Sequence, residues 1–111
     1  MHNLTPQEMC ALQAFKERML RLLGEANVFD CILFGSRARG EGNENSDLDL
    51  LVLVDESVMH QRGTVYGLSG EILVEYGIDV SPLVMSRKQF ESMQQRERLF
   101  PQEIEQDGQR L

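Results

Sequence analysis

Apolar residues recur at three- and four-residue spacing near the start of the chain, where Leu12, Phe15, Met19, Leu22 and Leu23 share one side of a helix. Lys16, Glu17, Arg18 and Arg21 fall on the other side and stay in water. Thr5-Pro6-Gln7-Glu8 supplies the start, with Thr5 as N-cap, Pro6 at the first helical position and Glu8 closing a capping box. Gly24 marks the end. The pattern then changes to strands, Val28 to Phe34 first and Asp47 to Val54 second. Ser57 to Gly77 returns to mixed helical spacing, with Tyr66 and Tyr76 expected to pack that helix. Ile78 to Met85 predicts a third strand, and Pro82 places it at an edge. Ser86 and Gln89 form a second capping box for a helix to about Arg96. Phe100-Pro101 reads as a break, followed by a short helix ending at Gly108. The order helix, strand, strand, helix, strand, helix implies an α+β fold, an α/β sandwich in which helices flank a small mixed sheet.

With 111 residues, the chain makes one domain, 1–111, with no room for a second. Its longest apolar run, Leu50 to Val54, is far too short to cross a bilayer, and Glu8 and Lys16 interrupt any signal peptide, so the chain reads as cytoplasmic. A formal charge of −7 opposes non-specific binding to nucleic acid or anionic lipid. Cys10 and Cys31 form neither a C-x-x-C pair nor a Cys/His cluster and are expected to be reduced core residues. Nor do His2 and His60 stand at ligand spacing.

The chemistry concentrates in Phe34-Gly35-Ser36-Arg37-Ala38-Arg39-Gly40 and, after a polar loop, Ser46-Asp47-Leu48-Asp49-Leu50-Leu51-Val52. Glu41-Gly42 stands where a Walker loop needs Lys-Ser/Thr, and no G-x-G-x-x-G is present. Asp47 and Asp49, two apart on a strand, project from one face about 6–7 Å apart at the backbone. Such a pair would repel unless a cation neutralised it, and hard divalent ions prefer oxygen ligands. Asp79 lies isolated between Ile78 and Val80 on the neighbouring strand, and three carboxylates on one face would suit two ions about 3.5–4 Å apart. Gly35 lets backbone N–H groups approach a phosphate, and the Ser36 hydroxyl adds a donor. Between Gly40 and Gln61 there are six acidic residues and no Lys or Arg, which leaves Arg37 and Arg39 as phosphate counterions. Arg39 has the alternative of a surface ion pair with Glu41 or Glu44.

Gly-Ser, ten residues, then Asp-x-Asp, an apolar strand and a later Asp resembles the DNA polymerase β-like nucleotidyltransferase superfamily. The strings GSRARG and SDLDLLV look like its minimal nucleotidyltransferase branch, small proteins encoded beside HEPN-domain partners as toxin and antitoxin. The resemblance implies the superfamily's fold, a triphosphate held by Gly35 and Ser36, and Mg²⁺ held by Asp47, Asp49 and Asp79, with Asp79 also a base for the attacking hydroxyl. It departs from the family where Gly42, Asn43, Glu44 and Asn45 replace a Pro-containing, often basic loop. The implied activity is transfer of a nucleoside monophosphate, AMP from ATP, to a hydroxyl of a HEPN-type partner. The alternative is a non-catalytic antitoxin that neutralises its partner by stable binding through apolar anchors such as Phe90, Met93 or Phe100. Transfer to a small molecule such as an aminoglycoside is disfavoured by the lack of a second substrate-binding domain. Self-association is left open.

Overall fold

The computed structural model describes residues 4–42 and 47–111. The predicted first helix is α1, Pro6–Leu23, and both halves of its capping box form: the Thr5 hydroxyl accepts from the Glu8 N–H and the Glu8 carboxylate accepts from the Thr5 N–H. The strands are β1 (Val28–Phe34), β2 (Leu48–Val54), β3 (Val80–Ser86) and the two-residue β4 (Gln109–Arg110). The second helical segment is divided, a 3-10 stretch from Glu56 to Gln61 leading into α2, Arg62–Tyr76. Asp55 accounts for the break, because its carboxylate accepts from the Ser57 N–H and caps the 3-10 turn separately. Two short helices, α3 (Arg87–Arg96) and α4 (Leu99–Asp107), complete the chain, and the Ser86 capping box is present as expected.

The sheet order is β3-β2-β1-β4, with β2 parallel to β3 and the other pairs antiparallel. Pro82 therefore sits on an edge strand, where its missing N–H leaves no ladder bond unmade. Central β2 is buried on both faces, and its alternation sorts the layers. Leu48, Leu50, Val52 and Val54 join Phe15, Met19, Val65 and Ile72 in the core beneath α1 and α2. Leu51 and Leu53 join Ile32, Met85, Phe90 and Ile104 beneath α3 and α4.

Four expectations are corrected. Cys10 is exposed on α1 and only Cys31 is buried. Tyr66 points outward from α2, whereas Tyr76 is half-buried. The tail break falls earlier, at Glu97-Arg98, and Pro101 lies inside the first turn of α4, where its missing N–H breaks no helical bond. Of the apolar anchors named for a docking surface, Phe90 is buried in the second core, while Met93 and Phe100 pack against it half-buried: Phe100 meets Phe34 edge-to-face at 5.2 Å and Phe90 at 6.5 Å. No described helix is long and apolar enough to cross a membrane.

Candidate functional site

The parallel pairing of β2 and β3 sets Leu48 beside Val80 and Asp49 beside Ser81. Leu48 and Val80 both enter the core under α1 and α2, so their neighbours Asp47, Asp49 and Asp79 face the α3 and α4 side at the start of these strands. Asp79 stands just before β3 rather than within it, and its carbonyl accepts from the Leu48 N–H at 3.0 Å. β1 runs the other way, so Phe34 lies opposite Asp49 and the chain leaves β1 for Gly35 directly beside that carboxylate.

Gly35 has φ +79°, and a Cβ there would lie 2.6 Å from Asp49 Oδ2. Only glycine lets the turn pass this close. The next residues fold into hydrogen-bonded turns rather than a helix: Gly35 O accepts from the Ala38 and Arg39 N–H groups, and Ser36 O from that of Glu41 at 2.9 Å. Ser36 is half-exposed, and its hydroxyl pairs with no described residue.

The carboxylates disturb one another. Burial, then the charge of Asp47 and that of Glu103, pushes the Asp49 carboxyl above its ordinary range. Asp79 is raised by desolvation first and then by the neighbouring Asp47 carboxylate. Among the described residues no three carboxylate, His or Cys side chains converge closely enough to hold a metal ion as they stand. The arrangement is an excess of negative charge that a cation would relieve.

The two arginines part company. Arg37 is 3% exposed and grips Glu8 of α1 with both terminal nitrogens at 2.6 Å. This places its guanidinium in the interior, so the phosphate-counterion role expected for it is not what the turn presents to solvent. Arg39 is exposed; its Nε donates to Glu41 and its Nη1 to Glu103 of α4 at 2.8 Å. Glu44 and Ser46 lie outside the described residues. Three participants escaped the sequence reading. Glu8 holds Arg37, Glu103 adds a fourth carboxylate, and Gln109 Nε2 donates to Ala38 O at 2.7 Å. A groove of about 340 Å³ along α1, between Met9, Leu12, Lys16, Leu20 and Leu111, is separate from these residues.

The family model described as "Nucleotidyltransferase domain" matches residues 12–108. Three relatives from Methanocaldococcus jannaschii, each named "Putative protein adenylyltransferase", are 35%, 37% and 31% identical over 57, 59 and 77 residues. The matches cover 50%, 53% and 67% of this chain and 58%, 55% and 52% of the relatives, so the chain spans about half the length of the curated relatives it matches. Among solved structures, the toxin-antitoxin pair MntA-HpeT is similar at TM-score 0.48 and 19% identity, covering 86% of this chain and 70% of that one. A Sulfolobus solfataricus protein described as "a putative nucleotidyltransferase" is similar at TM-score 0.46 and 14% identity, covering 96% of this chain and 86% of that one.

Proposed function

Because this chain belongs to the nucleotidyltransferase domain family, we propose that it transfers AMP from ATP to a hydroxyl of a protein partner, releasing pyrophosphate. The observation that carries the reading is the approach of the Gly35 turn to Asp49, which brings the backbone of the Gly35-Ser36 corner beside the carboxylate of the Asp-x-Asp pair. The protein acceptor rests on the relatives' names, and its identity as a HEPN-domain toxin rests on the resemblance of the GSRARG and SDLDLLV strings.

Two Mg²⁺ ions would be held by Asp47, Asp49 and Asp79, and when bound they neutralise the triphosphate and the developing charge. The fit is supported by the chemistry of the donor set, hard carboxylates at the start of two adjacent strands, with Asp49 and Asp79 raised by burial and then by the Asp47 charge; a divalent cation would draw them together. The chain's own groups do the rest. The Gly35 and Ser36 backbone and the Ser36 hydroxyl orient the triphosphate. The acceptor oxygen attacks the α-phosphorus, the bond from that phosphorus to the bridging oxygen breaks, and pyrophosphate leaves. The hydroxyl proton passes to the Asp79 carboxylate. Arg39 reaches the phosphates by exchanging Glu41 and Glu103 for them, a cheap exchange because these ion pairs are partly exposed to solvent.

The test is turnover. A trace of the protein with ATP and Mg²⁺ should inactivate a molar excess of its partner and raise the partner's mass by one or more nucleotide units. Neutralisation that saturates at a fixed ratio, needs no ATP and survives Asp47→Asn would replace this reading with that of a non-catalytic binding antitoxin.

A further inference from the structure

The turn that carries Gly35 and Ser36 contains two positive-φ glycines, Gly35 and Gly40, and is closed by a few backbone hydrogen bonds of 2.9–3.4 Å. Such a segment does not choose one shape by itself. Among the described residues three elements grip it. β4 reaches in with Gln109 on Ala38 O, a neutral hydrogen bond, and α4 with Glu103 on Arg39, a half-exposed ion pair. α1 reaches in with Glu8 on Arg37, and this grip differs in kind: both side chains are 3% exposed, and two parallel charge-assisted bonds of 2.6 Å fix the guanidinium plane as well as its position.

A buried ion pair is a poor device for stability alone, since apolar residues of similar volume usually serve as well or better. It does confer direction. Glu8 Oε1 also accepts from the Thr5 N–H at 2.9 Å, so the carboxylate is itself held by the end of a rigid helix. Although burial raises the Glu8 carboxyl, the hydrogen bonds from Arg37 and Thr5 outweigh it and keep the group below its ordinary value and charged. Arg37 is the residue after Ser36, so a fixed Arg37 plane limits where the Ser36 hydroxyl and N–H can point.

We propose that Glu8 is a positioning residue, which acts through Arg37 to hold the Gly35–Gly40 turn in the shape that receives the triphosphate. The inference rests on the nucleotidyltransferase reading for what the turn binds, but not for how the turn is held. Glu8 would touch neither substrate nor metal.

Two variants separate positioning from stability. In Glu8→Gln the capping box survives, because Gln also reaches back to the N-cap N–H, and only the charged grip on Arg37 is lost. In Glu8→Gln with Arg37→Met the buried guanidinium is removed as well, and the melting temperature should return toward wild type. Two readouts are taken on both variants: amide hydrogen exchange at Ala38, Arg39 and Glu41, and binding of ATP with Mg²⁺. The expected result is that exchange at these three amides rises at least tenfold in the double variant while β1 and β2 amides stay protected, and that nucleotide affinity falls at least tenfold in both variants. Wild-type exchange in the stable double variant would overturn the proposal and leave the pair a packing element. Faster turn exchange in the variants, together with a wild-type protein that itself binds no ATP, would keep the positioning role and reject the nucleotide reading instead.

Discussion

Replacing Gly35 with Ala tests the site at its narrowest point. Two penalties arise from the structure. The backbone at φ +79° is one that L-residues rarely adopt, and holding Ala there costs about 1–2 kcal/mol. Its Cβ would also lie 2.6 Å from Asp49 Oδ2, well inside contact distance, so the carboxylate must swing out of place. The backbone term alone should lower the melting temperature by roughly 4–8 °C for a chain of this size. The displaced Asp49 should weaken binding of ATP with Mg²⁺ at least tenfold, about 1.4 kcal/mol. A double-mutant cycle separates the terms, because Gly35→Ala made on Asp49→Ala retains the backbone strain and loses the clash. The two substitutions should therefore couple by about 0.5–3 kcal/mol. Thermal melts of the four proteins and nucleotide titrations of those retaining Asp49 give both numbers. If Gly35→Ala costs the same stability with and without the Asp49 carboxylate, the close approach is not what demands glycine, and the proposed corner loses its main support.

Asp47→Asn with Asp49→Asn should abolish transfer yet leave the melting temperature of the metal-free protein unchanged or higher, since like-charge repulsion is removed; a melt beside a labelled-ATP transfer assay checks both. Asp49 and Asp79 bind protons more tightly folded than at the ordinary value of 3.8, through burial first and then the Asp47 charge. The stability they contribute is present below that value and lost as pH rises through their elevated ones. Melting in chelator should accordingly fall across the window just above pH 3.8 more steeply for wild type than for Asp49→Asn, and Mg²⁺ should flatten the difference. Glu8 acts in the opposite sense, its contribution fading as pH falls through its lowered value. Nothing lies within 4 Å of a Cβ built at Gly67 or Gly70 on the exposed side of α2, so Ala at either should stabilise the isolated chain by about 0.5–1 kcal/mol, read by denaturant titration. The Cys31 thiol is buried and pushed up to about 12, whereas Cys10 is exposed; an alkylating agent near neutral pH should add one label to the native protein, at Cys10.

What could be read from the sequence and what could not divide along sequence separation. Both capping boxes close over three residues, and β1 matches its apolar run from Val28 to Phe34 residue for residue. The Gly35-Ser36 and Asp47-Asp49 motif was legible as a resemblance, and the structure gives its closeness a local origin. A strand, a turn and an antiparallel strand bring those positions together with no other element needed. β4 has only two residues and exists because β1 offers an edge, so no local pattern announces it. Glu103 and Gln109 lie 64 and 71 positions from the turn residues they hold, and nothing in their neighbourhood marks them.

Glu8 poses a sharper difficulty than distance. Its type and spacing were already fully explained by the capping box, and that explanation is correct. One oxygen of the same carboxylate serves both the Thr5 N–H and Arg37, so a sufficient local reason concealed a tertiary one. The same holds for Arg37 in reverse. A basic residue beside an acidic stretch suggested a free phosphate contact because the sequence could not show that a carboxylate 29 positions away had claimed it. Helix start and Gly35–Gly40 turn are thereby joined through one buried pair, and any change that loosens the first turn of α1 should be felt at Ser36 before it is felt in the sheet.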